Sequence, residues 1–250
     1  MTSPPTALGR LLTVVSWEGS AVRAYRRGGR GLENVLTADV LSALEALPRT
    51  HFLGEVLRSA NWGEPTRLLG IIQELEAANV SIFPDAFALR PDAATHQKRL
   101  EVQPDARIDG TSNLLVIEAK RIKSSSFQLE QLARNVLVLL RDCGDRTPTL
   151  LLVLGREPPV SVQGRGRRSI EEAVELGLVS AYERIAGLDL SLDEVRRLYP
   201  KMIAWTTWQE IAGSIRRALD GYKNDDHSTE GSIRRIADQI LNSIEWHKDA

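Results

Sequence analysis

Between Glu33 and Leu47 the apolar residues Leu36, Val40, Leu44 and Leu47 recur at offsets of three and four, and Pro48 follows. That spacing predicts an amphipathic helix ending at the proline. The pattern predicts further helices over about His51–Arg58, Thr66–Ala78, Phe127–Arg141, Ser169–Ala186, Leu192–Leu198, Gln209–Leu219 and Ser232–Trp246. In the middle of the chain the period shortens. Val80–Leu89 reads as a strand that Pro84 confines to an edge or a bulge. Leu100–Ile108 and Leu114–Ile122 flank the turn-forming cluster Asp109-Gly-Thr-Ser-Asn113 and read as a hairpin. Thr149–Leu154 and Lys201–Thr207 read as two more strands, and Leu11–Trp17 as a strand before the basic, glycine-rich loop Arg23–Gly31. Pro158–Arg168 and Gly221–Gly231 read as loops, neither with the composition of an interdomain linker. The order of elements predicts an α/β or α+β fold, a sheet covered by helices. One domain is expected over residues 1–250.

Composition narrows the function classes. Of the 250 residues 42% are hydrophobic and 26% charged, an ordinary globular mix. Thirty-two basic against 33 acidic side chains give a net charge of −1. This excludes tail-driven polycation binding but leaves room for a local basic groove. A single cysteine, Cys143, excludes an internal disulfide and a cysteine zinc cluster. The longest apolar runs, Val136–Leu140 and Leu150–Leu154, are too short to cross a bilayer. The first residues lack a signal-peptide pattern, so a soluble, cytoplasmic protein without membrane contact is expected.

The stretch from Pro104 to Lys120 carries the chemistry. Side chains alternate along a strand, so Glu118 and Lys120 share a face. A turn over residues 110–113 pairs Asp109 with Leu114 and hence Asp105 with Glu118. Opposed side chains sit about 5 Å apart at Cβ. Two carboxylates held so close repel unless a cation lies between them. Mg²⁺ suits such a site, because it takes oxygen ligands and binds through one or two carboxylates plus water and phosphate. A neighbouring lysine can orient or deprotonate water, or stabilise charge developing on a phosphate. The set suits metal-assisted phosphodiester hydrolysis.

Pro104-Asp105, the twelve residues that follow, and Glu118-Ala119-Lys120 after an apolar strand resemble the PD-(D/E)xK nuclease superfamily, the restriction-endonuclease-like fold. Glu33-Asn-Val-Leu-Thr upstream, Phe127-Gln-Leu-Glu-Gln-Leu-Ala-Arg134 downstream and Ile203-Ala-Trp-Thr-Thr-Trp-Gln-Glu210 extend the resemblance over residues 33–212. It implies a mixed central sheet flanked by helices with an αβββαβ core, elaborated at both termini. It further implies Mg²⁺ or Mn²⁺ on Asp105, Glu118, the carbonyl of Ala119 and Glu33. Lys120 would act on the attacking water, supported by Gln131. The implied substrate is DNA. An RNA-directed nuclease, or a silent module that grips nucleic acid or protein on the same fold, are the alternatives.

Other residues carry less. Asp109 precedes Gly110 and reads as a turn former rather than a ligand, while Glu55 is the fallback for Glu33. Gln128 shares a helix face with Gln131. Arg165, Arg167 and Arg168, and Arg23, Arg26, Arg27 and Arg30, sit in glycine-containing loops and could neutralise phosphates. Trp205 and Trp208 read as core. The four histidines show no metal-binding spacing, and Cys143 reads as inert. Cutting both strands from one centre per chain favours a homodimer, and a protein partner is the alternative source of specificity.

Overall fold

The computed structural model describes residues 31–88, 101–123 and 126–249. The candidate strand at Leu11–Trp17 and the arginines at 23, 26, 27 and 30 lie outside the described residues. In chain order the elements are α1 (Gly31–Ala46), α2 (Phe52–Ser59), β1 (Asn61–Trp62), α3 (Thr66–Glu74), β2 (Asn79–Ile82), β3 (Phe87–Ala88), β4 (Glu101–Val102), β5 (Ala106–Asp109) and β6 (Asn113–Ala119). There follow α4 (Gln131–Asp142), β7 (Thr147–Leu154), β8 (Val160–Val162), β9 (Gly166–Arg168), α5 (Ile170–Tyr182), α6 (Leu192–Met202), β10 (Ile203–Thr207), α7 (Trp208–Gly221) and α8 (His227–Asp249). No helix among them is long and apolar enough to cross a membrane.

The main sheet has six strands in the order β1-β10-β7-β6-β5-β2. β2, β5 and β6 form an antiparallel meander, and β6, β7 and β10 run parallel, with β1 antiparallel at the far edge. Mixed pairing on one sheet with helices on both faces makes this an α+β architecture. β6 is buried along its whole length, as its continuous Leu-Leu-Val-Ile run requires of a central strand. Its side chains alternate between two cores. Leu115, Ile117 and Ala119 join the core under α1, α2, α7 and α8, while Leu114 and Val116 join the one under α4, α5 and α6. Glu118 and Lys120 continue the second set and so point toward α4.

Four local expectations are corrected. The strand expected over Val80–Leu89 breaks after Ile82, because Phe83 takes a φ of 48° and Pro84 follows. β2 is an edge strand, as a proline there demands. The helix expected from Phe127 starts at Gln131 instead, because Phe127 is held in a bridge to Val162. Pro158–Arg168, expected as a loop, contains the β8–β9 hairpin with Val160 opposite Arg168. The loop expected over Gly221–Gly231 is shorter, since α8 already starts at His227.

Candidate active site

The hairpin register is the one the turn dictates, with Asp109 opposite Leu114 and Ala106 opposite Ile117. Regular pairing stops there. The next residue, Asp105, directs its amide to the Ile117 carbonyl at 3.0 Å, and its own carbonyl accepts from the Phe83 amide at 2.8 Å. Its side chain takes over where the ladder ends, with Oδ2 accepting the Ala119 N–H at 2.7 Å. The Asp105 carboxylate is thereby fixed to the strand position between Glu118 and Lys120. Phe83, in its left-handed conformation, helps to hold the bend.

All three charged side chains are buried, with Asp105 9%, Glu118 4% and Lys120 6% exposed. Glu118 is met by three donors. Its Oε1 accepts from Lys120 Nζ at 2.8 Å and from Gln131 Nε2 at 2.5 Å, and its Oε2 accepts from Asn135 Nδ2 at 3.2 Å. Gln131 and Asn135 lie one turn apart on α4, which stacks their amides over the same carboxylate. Gln131 is oriented at both ends, because its Oε1 accepts the Gln128 N–H at 3.3 Å. Gln128 itself precedes the helix rather than sharing its face, which corrects the expected pairing. The Lys120 amide donates to Val153 at 2.7 Å and its carbonyl accepts Trp208 Nε1 at 2.6 Å. Its ammonium also lies 5.0 Å from the centre of the Phe127 ring. Backbone and head of Lys120 are therefore held separately.

Two carboxylates against one ammonium leave the trio a formal charge of −1. The donors are oxygens on neighbouring strands, which suits a hard divalent cation. Glu118 has about four lone-pair directions, of which three are used, so one direction stays open on Oε2. Among the described residues no three His, Cys, Asp or Glu side chains converge on a cation position. Glu33 lies in the first turn of α1, but its side chain is outside the described residues. Its fallback, Glu55, is engaged elsewhere, with Oε1 accepting from Arg217 at 3.0 Å on the surface.

The remaining candidates separate cleanly. Asp109 is bound by Arg107 at 2.6 Å and Arg146 at 2.7 Å, so it has a structural ion-pair role. Arg165, Arg167 and Arg168 are exposed on the β8–β9 hairpin. That hairpin is tied to the centre through Phe127, whose N–H donates to Ser161 and whose carbonyl accepts from Gln163, each at 2.9 Å. Trp208 is core, as expected, and also positions Lys120. Cys143 is a free, buried thiol whose pKa burial pushes up, which keeps it protonated. Asn135 was not foreseen. The available signal was an asparagine one turn after Gln131, inside an apolar stretch where an unpaired amide would be costly.

The parallel strands β6, β7 and β10 end side by side, and Lys120, Gly155 and Trp208 follow their carboxyl ends. This is the edge at which open α/β sheets bind ligands. Compared with family models, with curated proteins and with solved structures, the chain matches none.

Proposed function

We propose that this protein is a Mg²⁺- or Mn²⁺-dependent nuclease of the PD-(D/E)xK type that hydrolyses phosphodiester bonds in DNA, with the restriction-endonuclease-like fold. The observation that carries this is the buried Asp105–Glu118–Lys120 trio at the carboxyl end of β6, with the Glu118 carboxylate held by Lys120, Gln131 and Asn135. The helix, three antiparallel strands, helix and parallel strand that frame it are the order such a fold uses. Buried carboxylates are costly unless hydrogen bonds or a cation answer them. Asp105, Glu118 and the Ala119 carbonyl would hold that cation, with Glu33 as a further ligand. When bound, the ion supplies positive charge against the phosphate and acidifies water.

The chain's own groups do the rest. Asp105 is held by the Ala119 amide, and Glu118 by Gln131 and Asn135, so these contacts pre-orient the ligand oxygens. Lys120, its backbone clamped by Trp208, directs its ammonium at the attacking water or a phosphate oxygen. The water oxygen forms the new P–O bond, the bond to the leaving sugar oxygen breaks, and a proton from the water reaches that oxygen through solvent. The arginines of the β8–β9 hairpin contact the strand backbone. A homodimer would bring two centres to opposite strands.

One observation favours the silent-module alternative. Lys120 and Glu118 already satisfy each other at 2.8 Å, so cation binding has to reshape that contact. The test is purified protein on linear, circular, nicked and single-stranded DNA and on RNA, with Mg²⁺, Mn²⁺ or EDTA. Metal-dependent cleavage of DNA is expected, cleavage of RNA alone moves the substrate class, and binding without turnover in every condition selects the silent module.

A further inference from the structure

Beside the trio lies a cleft of about 230 Å³ that the proposed chemistry does not use. Phe127 lines it, and the Lys120 ammonium lies 5.0 Å from the centre of that ring, so one residue separates the cleft from Lys120. Its floor is Gly155, the residue after β7. A Cβ there would meet the Arg121 carbonyl oxygen at 2.1 Å and that of Ile122 at 2.5 Å, so only glycine lets the chain leaving Lys120 cross this point. Two guanidinium groups line the opening, Arg156 and Arg167.

The two arginines differ in how they are held. Arg167 is clamped, with Nε donating to the Pro159 carbonyl at 3.0 Å and Nη2 donating to Pro159 at 2.8 Å and to Glu157 at 3.4 Å. Nη1, with two N–H groups, has no partner among the described residues. Arg156 is exposed and makes no side-chain hydrogen bond or ion pair among the described residues. Among the described residues that line the cleft there is no carboxylate, and Ser161, whose carbonyl accepts the Phe127 N–H, adds no charge. An enclosed opening with two guanidinium groups and no acid is an anion site.

We infer that this cleft is a phosphate subsite, which receives a backbone phosphate of the nucleic acid next to the one attacked at Lys120. This rests on the proposed nuclease reading for its substrate, while the anion chemistry stands on the cleft itself. Arg167 supplies a preset fork and Arg156 closes on the phosphate from the solvent side. The subsite fixes the strand at a set distance from the centre and so selects which bond is cut.

The test uses the full chain with two probes. Inorganic phosphate is titrated while the amide resonances of Gly155 and Arg156 are followed. A 16-nucleotide DNA is bound in EDTA at several salt concentrations. Arg156→Met should remove the phosphate-induced shifts, weaken DNA binding and flatten the salt dependence by about one phosphate contact. Arg216→Met, an exposed arginine of α7 under the other face of the sheet, should leave all three unchanged. Unmoved Gly155 resonances with a wild-type salt slope in Arg156→Met overturn the subsite. Phosphate shifts with an unchanged DNA slope overturn the nucleic-acid assignment in favour of a free phosphate ester. A flattened slope in a protein that never cuts supports the subsite and defeats the nuclease reading alone.

Discussion

The two ends of the β5–β6 hairpin carry acidic residues in opposite circumstances. At the turn, one carboxylate, Asp109, is answered by two guanidinium groups, those of Arg107 and Arg146. Nearby, Glu74 closes the same turn, with Oε1 accepting the Ser112 N–H at 2.9 Å and Oε2 accepting from Asn113 Nδ2 at 3.0 Å. At the open end the Lys120 ammonium meets Glu118, which the Gln131 and Asn135 amides also hold, while Asp105 accepts the Ala119 N–H. The turn end sets two carboxylates against two guanidinium groups and is partly solvated, with the Asp109 side chain 22% exposed. The open end is shut in, with the Glu118 side chain 5% exposed. A turn needs its charges answered in order to fold. Buried charged groups gathered at one strand end are where a ligand site is to be sought.

Removing the carboxylate at each end should separate the two most widely. Glu118→Ala removes the acceptor shared by the buried Lys120 ammonium and the Gln131 and Asn135 amides, and should cost about 3–5 kcal/mol of unfolding free energy in urea. Asp109→Ala leaves two arginines that can reach water and should cost about 1 kcal/mol. Equal losses would show that the open end is no more deeply committed than the turn.

Cation binding comes next in size. At tenfold excess over its dissociation constant, Mg²⁺ or Ca²⁺ should stabilise the wild type by about 1.4 kcal/mol, a rise of roughly 3–5 °C in Tm. Asp105→Asn should blunt that rise, whereas Asp109→Asn should keep it. An equal response in the Asp105 variant would remove Asp105 from the cation site.

Much of the open end was legible because the turn sequence fixes the register. Once Asp109-Gly-Thr-Ser-Asn113 closes the hairpin, the pairing of Asp109 with Leu114 follows, and Asp105 must arrive beside Glu118. The buried run Leu114–Ile117 likewise forced β6 into the sheet centre. What could not be read was anything set by contacts distant in sequence. Phe127 leaves the helical pattern only because Val162 captures it. The β8–β9 hairpin is short, and β9 is exposed at every position, so it has no alternation to reveal it. Asn135 looks like any interior helix polar residue until Glu118 is placed over it. The sequence reading named Asp105, Glu118, Lys120 and Gln131, which the structure brings together, but not Asn135.

A smaller effect tests how the amides act. Asn135→Ala removes one of three donors to Glu118 and should cost about 1–2 kcal/mol of stability. If the cost is absent, Oε2 is already served by another group.

The smallest difference is one of pH and belongs to the turn. The Asn113 side-chain amide, helped by the Ser112 N–H, holds the Glu74 carboxyl below its ordinary value of 4.5. Its folded pKa is depressed, so its contribution is present above about pH 4.5 and is lost as the pH falls through the folded value. Glu74→Gln should therefore lower stability slightly at neutral pH and flatten the acid limb, so that the two proteins converge as the pH falls below 4.5. An identical acid limb in both proteins would show that Glu74 is equally free to protonate in the folded turn.

The claim that the open end is a catalytic centre is tested most directly by the rate of DNA cleavage in Mg²⁺ for the wild type and Lys120→Ala, with folding checked by circular dichroism. Metal-dependent cutting by the wild type is expected, and a fall of about 10²–10³-fold in the variant with its fold retained, as for the loss of one group that stabilises developing charge. A Lys120→Ala protein that cuts as fast as the wild type would contradict it.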